Sequence, residues 1–175
     1  MKIVDRIFFE VPAEQLSMRL LGKFLCRKFK DGSVLRRRIT ETEAYGGFDT
    51  PDTACHAYKG KTARNAPLFG SGGTLYVFLC YGIFNLLNII SGSENDPQGV
   101  LIRGVEGSAG PGRVGRLFEI CRSLSGKDII DNDEIWLEDD GFCPEASQII
   151  CSKRIGIEYA SDIDKKRLAR FCLEI

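Results

Sequence analysis

The stretch from Thr74 to Ser91 constrains this chain more than any other: it is almost wholly apolar and is interrupted once, at Gly82. Thr74, Tyr76, Phe78 and Cys80 alternate with Leu75, Val77, Leu79 and Tyr81, the period of a strand rather than a helix. After Gly82 the apolar pattern resumes from Ile83 to Ile90. A run containing Gly82, Asn85 and Asn88 is too short and too polar to span a membrane, which takes roughly 20 apolar residues. The pattern predicts an apolar β-hairpin with Tyr81-Gly82 near its tip. Hairpin tips normally carry polar turn residues, so a tyrosine there is poorly explained by packing. It is the residue expected where a wedge enters a DNA base stack.

Around this hairpin the remaining signals predict a helix from Pro12 to Gly22, with Leu16, Leu20 and Leu21 at helical spacing, then a strand from about Lys23 to Phe29. The turn signal Asp31-Gly32 separates that strand from another over Val34 to about Tyr45. Gly46 to Gly73 reads as one long loop, and loops of that length in compact domains are usually functional. A short strand is expected at Val100–Arg103. Gly110-Pro111-Gly112 then opens a helix from Arg113 to about Leu124, with Val114, Leu117, Phe118 and Cys121 inward. Residues 126–145 read as an acidic, irregular segment around Trp136, and short strands near Ile149–Ile157 close the chain. The class is therefore α+β, a single domain over residues 1–175 with a curved, largely antiparallel sheet flanked by helices.

Charge and cysteine usage narrow the function. Net charge is zero, which by itself argues against a polyanion partner. The charges are nonetheless segregated: residues 126–145 hold eight acids and one lysine, leaving +7 on the rest, with Arg36-Arg37-Arg38, Lys59, Lys61 and Arg64 near one another in sequence. Runs of this kind are most often solvated faces. Seven cysteines, none closer than eight residues to the next, form no CxxC pair and read as free thiols of a reducing compartment. The first residues carry no secretory signal pattern. Cytosol is expected for a bacterial chain, close to the nucleoid, and the nucleus for a eukaryotic one.

Chemistry is carried by few residues. The strand Ile39-Thr40-Glu41-Thr42-Glu43-Ala44-Tyr45 sets Glu41, Glu43 and Tyr45 on one face, a carboxylate beside an aromatic, which suits a general base in a partly dry pocket. A solvated strand edge would look the same. His56 is the only histidine and, with no carboxylate or cysteine at ligand spacing, a poor metal ligand. No GxGxxG, GxxxxGK[ST] or GxSxG motif occurs.

Taken together, Ile39–Tyr45, His56, Gly73–Phe78 with Tyr81-Gly82 and Asn88, and Val100–Arg103 resemble the 3-methyladenine (methylpurine) DNA glycosylases. The likeness extends through Leu20–Lys23, Arg64-Asn65, Gly110–Arg113 and Arg154–Ile157, in order along nearly the whole chain. It implies a partly open barrel like the C-terminal domain of formyltransferases, with the hairpin projecting. It implies a monofunctional, monomeric enzyme without cofactor or metal, acting on double-stranded DNA that contains alkylated or deaminated purines: 3-methyladenine and 7-methylguanine, with hypoxanthine and ethenoadenine as further candidates. By position, Glu43 matches the base that activates water and Arg103 an arginine beside that water. Tyr45, His56 and Phe78 match the pocket that sandwiches the flipped purine, and Asn88 matches a residue crowding the exocyclic amine of guanine. Tyr81 matches the wedge, and Arg64 and Arg113 fall in segments that meet DNA. Phe78 stands where the family carries tyrosine. The chemistry agrees: an alkylated base is cationic, is attracted to aromatic faces and leaves without much acid assistance, so one carboxylate suffices. Two competing readings are a non-enzymatic module for damaged DNA, which would have no use for Glu43, and an enzyme on a small formyl- or nucleotide-type substrate, which would need a motif this chain lacks.

Overall fold

The computed structural model describes residues 1–174. Helix α1 (Ala13–Leu20) follows Pro12 and buries Ala13, Leu16, Ser17 and Leu20. Strands β1 (Phe24–Lys28) and β2 (Val34–Tyr45) form the expected pair. β3 (Leu75–Cys80) and β4 (Phe84–Ile90) form the hairpin, followed by β5 (Gly99–Val105) and the two-residue β6 (Ser108–Ala109). Helix α2 (Pro111–Leu117), β7 (Ile135–Glu138), β8 (Ile149–Ser152), α3 (Asp162–Lys166) and β9 (Arg170–Leu173) complete the chain. Every strand pair is antiparallel. The sheet runs β3-β4-β5-β2-β1-β7 and curls into a half-barrel, so the α+β expectation holds. No described helix is long and apolar enough to cross a membrane.

The long β2 organises the molecule. Residues 34–38 pair with β1 and residues 41–43 with β9 along one edge, while β5 occupies the other. Between β2 and β5 the register slips twice: Ile39 faces Val105, Glu41 faces Gly104 and Thr42 faces Ile102. One residue on each strand, Thr40 and Arg103, is left without a partner. Bulges of this kind bend a strand and re-aim a side chain. Here they keep Ile39, Thr42 and Ala44 inward with α1, where the Thr42 hydroxyl donates to Ser17 O at 3.0 Å, and turn Glu41, Glu43, Tyr45 and Arg103 to the opposite face. Gly104 makes room for this, since a Cβ there would lie 2.9 Å from Glu41 Cβ.

Three expectations need correction. The second helix begins at Pro111 and stops at Leu117 rather than near Leu124. Glu119 takes a left-handed φ of 46°, Ile120 N–H donates to Gly115 O and Glu119 N–H to Arg116 O, so the chain reverses in a Schellman motif with Phe118 buried. A short 3-10 turn, Arg122–Leu124, follows. The acidic segment is not wholly irregular: Ile135 and Leu137 point inward from β7, which pairs with β1. The closing region contains β8 but no strand over 153–157, and it adds α3, capped by Ser161, and β9.

Candidate active site

On the sheet face opposite the main core, a cleft of about 630 Å³ opens beside the hairpin. Tyr45, Arg103, Asn88 and Phe78 reach it from β2, β5, β4 and β3, and the long loop after β2 brings His56 and Arg64 to the same place. The segment after β8 closes one side with Ile155, Ile157 and Tyr159. Glu43 lies directly beneath this lining with no exposed side-chain surface.

Three groups hold the Glu43 carboxylate. Oε1 accepts from Ile155 N–H at 2.8 Å, Oε2 accepts from the Tyr45 hydroxyl at 2.8 Å, and Arg103 Nη1 stands 3.4 Å from Oε2. Burial pushes the Glu43 carboxyl above the ordinary glutamate value, against the opposing pull of Arg103, the Ile155 amide and Tyr45. Glu41 has the contrary environment. Burial would raise it too, but Arg170 Nε at 2.6 Å and Arg103 Nε at 2.9 Å hold it below the usual range. Two glutamates two residues apart thus differ in character: Glu41 is a fixed anion bracing Arg103, and Glu43 is the more basic of the pair.

The aromatic wall is equally ordered. The His56 ring stands 4.5 Å from Phe78, edge to face, and Tyr76 stacks on Phe78 at 5.7 Å. His56 Nδ1 lies 2.9 Å from the Tyr76 hydroxyl. Burial first, and then the Arg64 charge, lower the His56 pKa, while burial pushes the Tyr76 phenol up to about 12. Both causes favour the neutral ring. Tyr76 is 2% exposed and its hydroxyl has no other partner among the described residues, so the tautomer follows. If Nδ1 carried the proton, the phenol hydrogen would be buried without an acceptor, at a cost of about 1–3 kcal/mol. Phenol donating to Nδ1 satisfies both and leaves N–H on Nε2, at the exposed end of the ring.

Tyr45 is fixed from behind. The Arg154 guanidinium lies 4.7 Å from its ring centroid and forms a fully buried fork with Asp52, at 2.6 and 2.8 Å. Asp52 also accepts from Gly46 and Ala54 N–H groups, pinning the loop that carries His56 to the end of β2. Asn88 is buried, with Nδ2 donating to Tyr76 O at 3.2 Å.

Tyr81 is 85% exposed at the hairpin tip, beside Ile83 and Leu79. Its φ of 50° is unusual for a non-glycine residue, and Gly82 follows at 70°. Bulky side chains in this region cost about 1–2 kcal/mol, so packing alone does not account for the tyrosine. The basic run Arg36–Arg38 is not free. Arg36 pairs with Glu138 and Arg38 with Asp140, each at 2.8 Å, so the acidic segment neutralises two of its three charges and leaves Arg37 outside any ion pair with a described residue. Arg64 and Arg113 are exposed and have no ion-pair partner among the described residues. Arg113 stands outside the cleft lining, which Pro111 reaches. The structure thus gathers Glu43, Tyr45, His56, Arg64, Phe78, Tyr81, Asn88 and Arg103 at one place. Sequence reasoning missed Tyr76 as support for His56, the Ile155 amide, the Glu41–Arg170 brace and the Asp52–Arg154 fork. Strand alternation, which places Tyr76 beside Phe78, and the resemblance over Arg154–Ile157, to which no role was attached, were the available signals.

Comparison with known proteins finds a family and relatives along nearly the whole chain. The family model for methylpurine-DNA glycosylase matches residues 7–108 and 106–174. A protein of Methanocella arvoryzae is 37% identical over 191 aligned residues, covering 98% of this chain and 92% of the relative. One from Borreliella afzelii is 38% identical over 183 residues, covering 98% and 96%. One from Chlorobium phaeobacteroides is 41% identical over 177 residues, covering 90% and 88%. All three are provisionally named 3-methyladenine DNA glycosylase.

Proposed function

The chain belongs to the methylpurine-DNA glycosylase family, and from that premise we propose that it excises alkylated purines, 3-methyladenine and 7-methylguanine foremost, from double-stranded DNA by flipping the nucleotide into the cleft. The observation that carries the reading is the buried, anchored Glu43, with its raised pKa, directly under an aromatic cleft and beside Arg103. A binding module would have no use for a buried carboxylate at that place.

In the proposed reaction Tyr81 fills the gap left in the stack, while Tyr45, His56 and Phe78 contact the extruded base. A cationic purine gains about 2 kcal/mol or more from a desolvated aromatic face, and stacking adds roughly 1–3 kcal/mol per base. Glu43 takes a proton from a water that Arg103 helps to orient. The water oxygen bonds to C1′ as the N-glycosidic bond breaks, and the bonding pair leaves with the purine, whose positive charge it neutralises. The carboxylate also offsets the positive charge that builds on the sugar. No lysine lines the cleft among the described residues, which supports a monofunctional enzyme that makes no covalent link to the sugar.

The test uses the wild-type protein with duplexes bearing 7-methylguanine, hypoxanthine or ethenoadenine, and with alkylated DNA as a source of 3-methyladenine. Released bases are separated by chromatography, and alkali reveals abasic sites. Strand cleavage only after alkali is expected. If no base is released from any of these substrates, the reading fails.

A further inference from the structure

A second groove, of about 560 Å³, adjoins the cleft, and Arg64, Phe78 and Leu79 line both. Val77, Arg122 and Ser125 supply its other side. The groove runs along the outer edge of β3, the terminal strand of the sheet. Backbone pairing on that edge can be followed residue by residue. Leu75 N–H donates to Lys127 O and Gly126 N–H to Leu75 O, each at 2.8 Å. Val77 N–H donates to Ser125 Oγ at 3.1 Å. Odd-numbered residues of β3 therefore turn their backbone groups away from β4, and the alternation of an antiparallel pair carries the same rule to Leu79. There the cover ends: Leu79 N–H points into the groove with no protein acceptor among the described residues. Arg64 and Arg122 flank the spot, both exposed and neither in an ion pair with a described residue.

An open N–H and two guanidinium groups outside any ion pair with a described residue, all lining one groove, supply donors for one small anion. Guanidinium forks match phosphate geometry better than any other side chain does. No carboxylate lines the groove. The carbonyls of Val77 and Leu79 on the same edge are acceptors that can take guanidinium N–H groups and so lay the arginines along the strand. Arg64 stands on the border between groove and cleft, so an anion here lies beside whatever enters the cleft.

We propose that this groove grips one backbone phosphate of the DNA strand next to the extruded nucleotide, through Arg64, Arg122 and the Leu79 N–H. The inference rests on the glycosylase reading and adds to it the device that sets insertion depth. Leu79 is two residues from Tyr81, so a phosphate fixed on the strand edge fixes how far the tip enters the duplex.

The experiment measures binding of the full-length protein to a duplex carrying one tetrahydrofuran abasic analogue, which cannot be cleaved. Dissociation constants are taken across a range of salt concentrations. The same measurement is repeated on duplexes in which one phosphate at a time is replaced by an uncharged methylphosphonate. Arg122→Gln is expected to weaken binding by about three- to tenfold and to reduce the log–log salt slope by about 0.9. Arg122→Lys should restore most of the slope. At one position near the analogue the methylphosphonate should weaken the wild type but leave Arg122→Gln unaffected. An unchanged slope overturns the proposal. So does a reduced slope with every methylphosphonate acting equally on both proteins, since Arg122 would then act only through long-range charge. Absence of any excision by the wild type is a separate result: it overturns the glycosylase reading and not the phosphate contact.

Discussion

Replacing Glu43 by Gln should separate the chemistry from the scaffold that holds it. Glutamine would keep its oxygen on the Ile155 amide, because the other orientation sets NH₂ against N–H at a 2.8 Å contact. The amide nitrogen then faces Tyr45, whose hydroxyl can rotate to accept. Only the Arg103 contact becomes unfavourable, and it is the longest of the three at 3.4 Å, while Arg103 retains Glu41 at 2.9 Å. The loss of one stretched charge-assisted bond, worth at most about 1.5–3 kcal/mol, is offset by no longer burying a charge. The net change in stability is then about 1 kcal/mol, or about 2–4 °C in Tm for a chain of this size. The amide cannot take a proton from water, and loss of a general base lowers rates by about 100- to 10,000-fold. Single-turnover excision of 7-methylguanine, paired with a thermal melt of the same preparation, reads both quantities. Glu41→Gln should show the opposite balance, with a larger loss of Tm and a rate within about tenfold of wild type, because Glu41 braces Arg103 and Arg170. A normally folded Glu43→Gln protein that excises within tenfold of wild type would remove Glu43 from the chemistry. Equal rate losses in the two variants would remove the distinction between them.

Excision should fall as pH drops through the raised pKa of Glu43, because only the carboxylate accepts the proton; a rate unchanged well below neutrality would refute this. The linked stability has a definite sign: the native state binds the Glu43 proton more tightly than the unfolded chain, so stability declines as pH climbs from the ordinary glutamate value through the raised one. Glu43→Gln should flatten that decline in pH-dependent melts. Tyr81→Gly should raise Tm slightly, by relief of about 1 kcal/mol of left-handed strain, while excision of a fully paired lesion slows more than that of a mismatched one; equal slowing would argue against a wedge. In Tyr76→Phe the ¹⁵N spectrum of the sole imidazole should lose its single Nε2–H tautomer for a mixture, and an unchanged spectrum would show that the phenol does not set it. Phe78→Tyr restores a hydroxyl worth about 0.5–1.5 kcal/mol net and should favour hypoxanthine relative to 7-methylguanine; an unchanged rate ratio would place lesion choice elsewhere, with Asn88 next.

What could be read in advance had a local cause. The hairpin, the β1–β2 pair and the shared face of Glu41, Glu43 and Tyr45 follow from period-two alternation, which survives because the bulge at Thr40 lies before those residues and not among them. Arg103 was reachable only through resemblance, since its aim depends on a register slip that no local pattern encodes. The end of α2 was hidden because Glu119 fills the left-handed position usually signalled by glycine. β9 and the Asp52–Arg154 fork join residues more than a hundred positions apart, where spacing carries no information. The arginine run, read as most often a solvated face, was open for the same reason: the partners of Arg36 and Arg38, Glu138 and Asp140, arrive through the pairing of β7 with β1.

That pairing also resolves how a chain with no net charge can serve a polyanion. The acidic segment cancels Arg36 and Arg38, while around the cleft Arg64, Arg113 and Arg122 form no ion pair with a described residue and keep their charge for a partner. Within the cleft the rule inverts. Arg154 lies against the Tyr45 ring, where a bare cation would compete with a cationic purine for the same aromatic electrons. Its bidentate bond to Asp52 removes that field and keeps the positioning. Arg103 and Arg170 are balanced in the same way by Glu41 and Glu43, and burial and Arg64 favour the neutral form of His56. The guanidinium groups packed beneath the aromatic lining are thus paired, and Arg64, on the border with the groove, is the lining arginine that stays without an ion pair among the described residues. Any positive charge that then develops, on the sugar as the bond breaks, meets Glu43, which among the described residues is the carboxylate beneath the cleft not committed to a short ion pair.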